Sequence, residues 1–207
     1  MRKNIDTKPI FQKFLRPATR HLAAAGITPN QVTVTTILLS FAGGGVVLAL
    51  PGEDWPILLI PAVLSLRVAF NHIDGMLACE HDMKTPLGAV LNELADVISD
   101  AVLYLPLALV PGVAAVLLVP AVVLGILAEM IGVVATLIGA DRREDGPMSK
   151  KARGLVIGGS ALAIGLGAPP GPWLHSLLLI MLPLQVVTIF NRLNRAVEQA
   201  NKRCSTI

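Results

Sequence analysis

The chain reads as an all-α integral membrane protein with six transmembrane helices and an N-terminal amphipathic helix on the cytoplasmic surface. Three observations carry this expectation. The composition is 54% hydrophobic and only 15% charged, where soluble domains carry roughly 25% charged residues. Apolar runs near 31–50, 54–79, 86–110, 113–140, 154–168 and 172–194 approach the length that crosses about 30 Å of hydrocarbon at ~1.5 Å per residue. Breaks at Pro51-Gly52, Pro111-Gly112 and Pro169-Pro170-Gly171-Pro172 punctuate them.

The 17 Lys and Arg residues set the orientation. Arg2, Lys3, Lys8, Lys13, Arg16 and Arg20 precede the first span, and Lys84 lies between the second and third. Arg142, Arg143, Lys150, Lys151 and Arg153 lie between the fourth and fifth, and Arg192, Arg195, Lys202 and Arg203 close the chain. Arg67 sits inside a span. The opposite loops hold no Lys or Arg, only acids such as Glu53 and Asp54. Both termini are therefore expected in the cytoplasm, in a bacterial-type inner membrane crossed several times.

Residues 1–30 lack the uninterrupted apolar core of a signal peptide. Ile10, Phe11, Phe14, Leu15, Ala18 and Leu22 recur at helical spacing opposite Lys8, Lys13, Arg16 and Arg20, the pattern of a helix lying in the headgroups, with Pro17 expected to kink it. Residues 31–194 form the six-helix domain and 195–207 a basic cytoplasmic tail. In the first span Ser40, Gly43, Gly44 and Gly45 are small enough for helices to approach closely. Trp55 and Trp173 are expected as anchors at the far interface. Cys79 and Cys204 fall on the reducing side, so no disulfide is expected. The net charge of +3 concerns lipid headgroups, because the basic residues are not interleaved with aromatics as nucleic-acid binding requires.

The second and third spans break the apolar rule. Asn71 and Asp74 are three apart on one helix, and Asn92, Asp96 and Asp100 follow at four-residue steps on its antiparallel neighbour, so each set lines one face. Acids inside a bilayer point to function. Oxygen ligands suit a hard cation, Mg²⁺ or Mn²⁺, and His72 and His81 lack the spacing of a zinc site. Gly75, Ala78 and Gly88 let a bulky ligand approach the backbone, or else pack helix on helix. Glu129 is a further buried acid, expected as a partner of Arg67 or as a dimer contact.

At these positions the chain resembles the CDP-alcohol phosphotransferase family, whose signature is D-x2-D-G-x2-A-R-x8-G-x3-D-x3-D. Asn71, Asp74, Gly75, Ala78, Cys79, Gly88, Asn92 and Asp96 reproduce its spacing in full, and Pro29-Asn30-Gln31-Val32-Thr33 resembles the family's start of the first span. The resemblance implies that Asp74 and Asp96 ligate a metal, with Asn71 and Asn92 as neutral ligands or hydrogen-bond partners. It makes Asp96 the general base. It also implies a nucleotide held by Asn30, Thr33, Asp74, Gly75, Ala78 and Gly88, and a homodimer. The reaction implied is attack of an alcohol on the lipid-linked phosphorus of CDP-diacylglycerol, releasing CMP.

Three positions depart from the signature: Asn71 and Asn92 replace aspartates, and Cys79 replaces arginine. Two negative charges are lost where the family has a binuclear centre, and Asp100, on the face of Asp96, is the better placed of the nearby acids to restore charge. Lys150 and Arg153, in a run resembling the family's P-M-x-K-x-x-R element, and Arg67 are candidate acceptor contacts. They suggest glycerol 3-phosphate or another phosphorylated polyol, while a neutral alcohol stays open. Two other readings stand beside the enzyme. One is a weakly active or inactive CDP-lipid-binding relative that supports a partner enzyme; the other is a small transporter, for which no inverted repeat is evident.

Overall fold

The computed structural model describes residues 8–204. Arg2 and Lys3 lie outside the described residues, as do the side chains of Lys8, Ile10, Phe11 and Cys204. Among the described residues all regular structure is helical: α1 (Lys8–Ala24), α2 (Pro29–Ala49), α3 (Leu59–Glu80), α4 (Pro86–Tyr104), α5 (Ala115–Val134), α6 (Lys150–Gly165) and α7 (Pro172–Cys204). Short 3-10 turns at Trp55–Leu58, Leu105–Leu109 and Ala135–Ile138 extend α3, α4 and α5.

Four segments are long and apolar enough to cross a membrane: Pro29–Ala49, Trp55–Glu80, Ala115–Ile138 and Pro172–Arg203. The other two expected spans differ for physical reasons. Helix α4 carries Glu93, Asp96 and Asp100, and α6 is 16 residues long and opens on Lys150, Lys151 and Arg153.

The packing is that of a membrane bundle, with apolar side chains outward and polar ones inward. Leu38, Leu87, Val116, Leu155 and Ile180 are exposed, whereas Ser40, Arg67, Ser99, Gln185, Thr188 and Arg192 are buried. An apolar exterior is what hydrocarbon requires. One continuous core runs from Val47 and Ile60 through Leu103, Leu118 and Ile157 to Leu178 and Met181. Helix α2 touches α4 almost backbone to backbone, because a Cβ at Gly44 would lie 2.2 Å from the carbonyl oxygen of Val102. Gly43 faces Val63 and Leu103 and Ser40 is fully buried, so these small residues pack helices as expected; Gly45 instead faces open space.

Helix α1 continues through Pro17. Leu15, Leu22 and Ala23 pack against Val32, Ile73 and Leu77, Thr19 is buried beside them, and Arg16 pairs with Glu80 at 3.0 Å. Phe14 points away, 88% exposed. The apolar side expected for residues 1–30 is thus divided between a contact on α3 and an outward surface.

Helix α2 starts earlier than residue 31. Its cap is Thr28: the Thr28 hydroxyl accepts from Gln31 N at 3.4 Å, and Gln31 Oε1 accepts from Thr28 N at 2.9 Å. At the other end of the chain α7 passes residue 194 without interruption, 33 residues in one helix. That is about 50 Å, some 20 Å more than the hydrocarbon core. Its last turns are tied to the α5–α6 loop. Arg195 pairs with Asp145 at 2.5 Å, Gln199 Nε2 donates to Asp141 Oδ2 at 2.6 Å, and Arg203 reaches Asp141 at 3.1 Å.

Candidate active site

The site forms where the N-terminal turns of α2 and α4 meet the last two turns of α3. The Thr33 hydroxyl lies 3.1 Å from the Pro29 carbonyl oxygen and 3.2 Å from Asp74 Oδ2, which joins α2 to α3 around a buried carboxylate. Thr85 caps α4, accepting from Gly88 N at 2.9 Å. A Cβ at Gly88 would lie 2.6 Å from Asn30 Oδ1, so that glycine is the notch through which Asn30 seals α2 against α4. Gly75 is different: nothing lies within 4 Å of a Cβ built there, and its surface is open beside Asp74.

Asp96 comes from α4. Asn71 Nδ2 donates to its Oδ1 at 3.4 Å, the Lys150 ammonium pairs with its Oδ2, and Arg67 Nη2 lies 3.8 Å from Oδ1. Asn92, half-buried, is one turn earlier on the same face. Arg67 continues to Asp100 at 2.8 Å. The expected polar faces of α3 and α4 therefore do meet.

Asp100 joins a second group of charges rather than the Asp74 side. Arg153 Nη2 lies 4.0 Å from Asp100 and 2.9 Å from Glu129 Oε1. Arg192 Nη1 is 3.4 Å from the same Glu129 oxygen, and Arg142 is 3.9 Å from Oε2. Arg142 also pairs with Glu93 at 2.7 Å and with Glu144. Glu129 is expected from the sequence as a partner of Arg67 or as a dimer contact; its partners are instead Arg153, Arg192 and Arg142, because α5 lies along α7. Arg192, counted from the sequence among the basic residues that close the chain, is fully buried, and its Nε donates to the Asp145 carbonyl at 2.9 Å. One signal for it was available. Gln185, Thr188 and Arg192 form a single polar stripe at three- and four-residue steps along α7, and all three are fully buried.

A family model for CDP-alcohol phosphatidyltransferase matches residues 26–198. The chain belongs to the CDP-alcohol phosphatidyltransferase family. It is accordingly a transferase, and the family match spans every helix of the site. Among relatives, it is 38% identical over 185 residues to the inner membrane protein YnbA of Escherichia coli, covering 89% of this chain and 92% of that one. Over 98 residues it is 32% identical to the phosphatidylinositol phosphate synthase of Mycobacterium marinum, covering 47% of this chain and 40% of that one. The fold matches crystal structures of Mycobacterium tuberculosis phosphatidylinositol phosphate synthase PgsA1. The manganese and citrate complex has a TM-score of 0.74 at 23% identity, covering 87% of both chains. The form with CDP-DAG bound has the same score and identity, covering 87% of this chain and 92% of that one.

The donor chemistry of this transferase decides how many metal ions it suits. Among the described residues no three His, Cys, Asp or Glu side chains are grouped to hold a metal ion. The oxygen donors of Asp74, Asp96, Asn71 and Asn92 are the chemistry that a hard cation such as Mg²⁺ or Mn²⁺ takes, and their charge suits one such ion better than two.

Proposed function

We propose that this transferase moves the phosphatidyl group of a CDP-activated lipid, CDP-diacylglycerol, to an alcohol hydroxyl and releases CMP. The observation that carries the reading is that Asn71 of α3, three residues before the buried Asp74, bonds Asp96 of α4 beside the open backbone of Gly75. The acceptor oxygen forms a bond to the lipid-linked phosphorus, the bond from that phosphorus to the CMP oxygen breaks, and the hydroxyl proton passes to the Asp96 carboxylate. Asp74, Asp96, Asn71 and Asn92 would hold one Mg²⁺ or Mn²⁺, which when bound neutralises pyrophosphate charge. Thr33 fixes the Asp74 carboxylate. Asn30, Thr33, Gly75, Ala78 and Gly88 frame the nucleotide side, with Gly75 giving the room and Gly88 the closure of α2 on α4.

The membrane setting is part of the proposal. Helices α4 and α6 cross with the four longer segments, lipid covering their apolar sides and the charged network their inner sides. Both chain ends and the site then face the cytoplasm, and 38% identity to an inner membrane protein supports that placement. Helix α1 rests in the headgroups, as the outward Phe14 supports. Leu87, Val90, Leu94 and Ile98 form an exposed apolar stripe on α4, a surface suited to lipid or to the second copy of a homodimer.

The phosphorylated polyol suggested by the sequence needs cations free to meet a second phosphate. Lys150, Arg153 and Arg67 are all held in ion pairs. Asn71, Asn92 and Cys79 motivate the second reading, a relative that binds CDP-lipid without turnover. Release of CMP from CDP-diacylglycerol, dependent on an alcohol and on Mg²⁺ or Mn²⁺, supports the transferase; nucleotide binding without release under every acceptor supports the binding protein.

A further inference from the structure

Resting on the transferase reading, we infer that the acceptor is an uncharged alcohol and not a phosphate ester. The charges inside the bundle are already matched to one another. Lys150, Asp96, Arg67, Asp100, Arg153, Glu129, Arg192, Arg142, Glu93 and Glu144 form one connected network, each pair within 4.0 Å. It holds five cations and five carboxylates. Asp74 stands outside it and adds a negative charge at the open side. Within this network no positive charge is left over for a second phosphate, and Arg143, outside it, is bonded to the Arg195 carbonyl and Gln199 Oε1 at the end of α7.

The two arginines best placed by burial to recognise a phosphate, Arg153 and Arg192, are 3% and 0% exposed. Arg153 is also held sterically, because a Cβ at Gly125 would lie 3.0 Å from its Nε. Arg192 is held by its hydrogen bonds to the Ala128 and Asp145 carbonyl oxygens. The cavity beside Arg153, Glu129 and Asp100 measures about 10 Å³, room for one water and not for a phosphoryl group. A phosphate ester would have to draw Arg153 from Glu129 and strand a carboxylate out of water, which proteins avoid. Lys84 and Lys151, which lie outside the network, are on the solvent-exposed surface. An uncharged alcohol asks for none of these changes, since its hydroxyl needs only the Asp96 carboxylate and neutral hydrogen-bond partners.

The test pairs acceptors that differ only by a phosphate: glycerol with glycerol 3-phosphate, inositol with inositol 1-phosphate, serine with phosphoserine. Full-length protein in lipid nanodiscs receives CDP-diacylglycerol and Mn²⁺, and the lipid products are identified by mass spectrometry. The expected result is product from an uncharged member at a rate roughly 100-fold above its phosphorylated partner. Preferred use of a phosphorylated member, with CMP released, overturns this inference and leaves the transferase reading intact. Absence of CMP release with every acceptor overturns the transferase reading and this inference with it. Calorimetry supplies a readout without turnover. Glycerol 3-phosphate is expected to show no saturable binding to the native protein and to gain it in Glu129→Gln, where Arg153 and Arg192 lose their carboxylate. Saturable binding to the native protein contradicts the inference.

Discussion

Asn71 and Asn92 stand where the family signature resembled by the sequence has aspartates. Each keeps the shape of an aspartate and removes its charge, so in the proposed site the metal stoichiometry rests on these two side chains. We predict one Mn²⁺ per chain in the native protein, with the uncoupled six-line electron paramagnetic resonance spectrum of an isolated ion. The double substitution Asn71→Asp and Asn92→Asp is expected to bind a second ion and broaden the spectrum by exchange coupling; a coupled spectrum in the native protein would refute the account. At this scale the sequence was informative where partners are near in the chain. That the polar residues of α3 and α4 face each other, as Arg67 faces Asp100 and Asn71 faces Asp96, was readable from spacing; that α2 packs against both helices was not. Glu93 and Arg142, 49 residues apart, and Glu129 and Arg192, 63 apart, were not, because periodicity shows which face a charge occupies and not which distant helix faces it.

At the scale of elements, the contact of α2 with α4 positions the first turn that carries Asn30 and Thr33. Gly44→Ala puts a methyl against the Val102 carbonyl and is expected to cost about 1–3 kcal/mol, seen as a lower unfolding temperature in detergent. Gly45→Ala, facing open space, serves as the neutral control. Small residues in the first span were a legible sign of close packing, but the reach of α7 was not. Its apolar run ends near residue 194, and the helix continues because the loop before α6 grips it. Hydrogen bonds from Gln199 and then Arg203 hold the Asp141 carboxyl below the usual carboxylate range. A depressed folded-state value means that this grip is complete above the ordinary value near 3.8 and is lost as pH falls through the lower one. Hydrogen exchange over residues 196–204 is expected to stay slow at neutral pH and to quicken only below that range; equal exchange at both would show the grip to be immaterial.

For the whole molecule, the polar interior and apolar exterior identify a membrane bundle, and the distribution of Lys and Arg supports the proposed orientation. The exposed, free Cys79 allows a direct check. In a Cys204→Ser background, a membrane-impermeant maleimide should label Cys79 in inside-out vesicles and not in right-side-out ones, and the reverse pattern would invert the proposed topology. The sequence reads as six apolar runs, and among the described residues four segments meet the length and hydropathy of a span by themselves. Helix α4 falls short because it carries Glu93, Asp96 and Asp100, and α6 because it is 16 residues long; in the proposed topology the charges that obscure α4 as a span are among those that build the site.

The measurement that bears most directly on the central claim follows both products of one reaction. Native protein with CDP-diacylglycerol, Mn²⁺ and its preferred alcohol is predicted to yield CMP and a phosphatidyl-alcohol in equal amounts, with Asp96→Ala slower by roughly 100- to 10,000-fold, the usual contribution of a general base. CMP released without an alcohol, with phosphatidic acid as the lipid product, or an Asp96→Ala rate equal to the native rate, would contradict it.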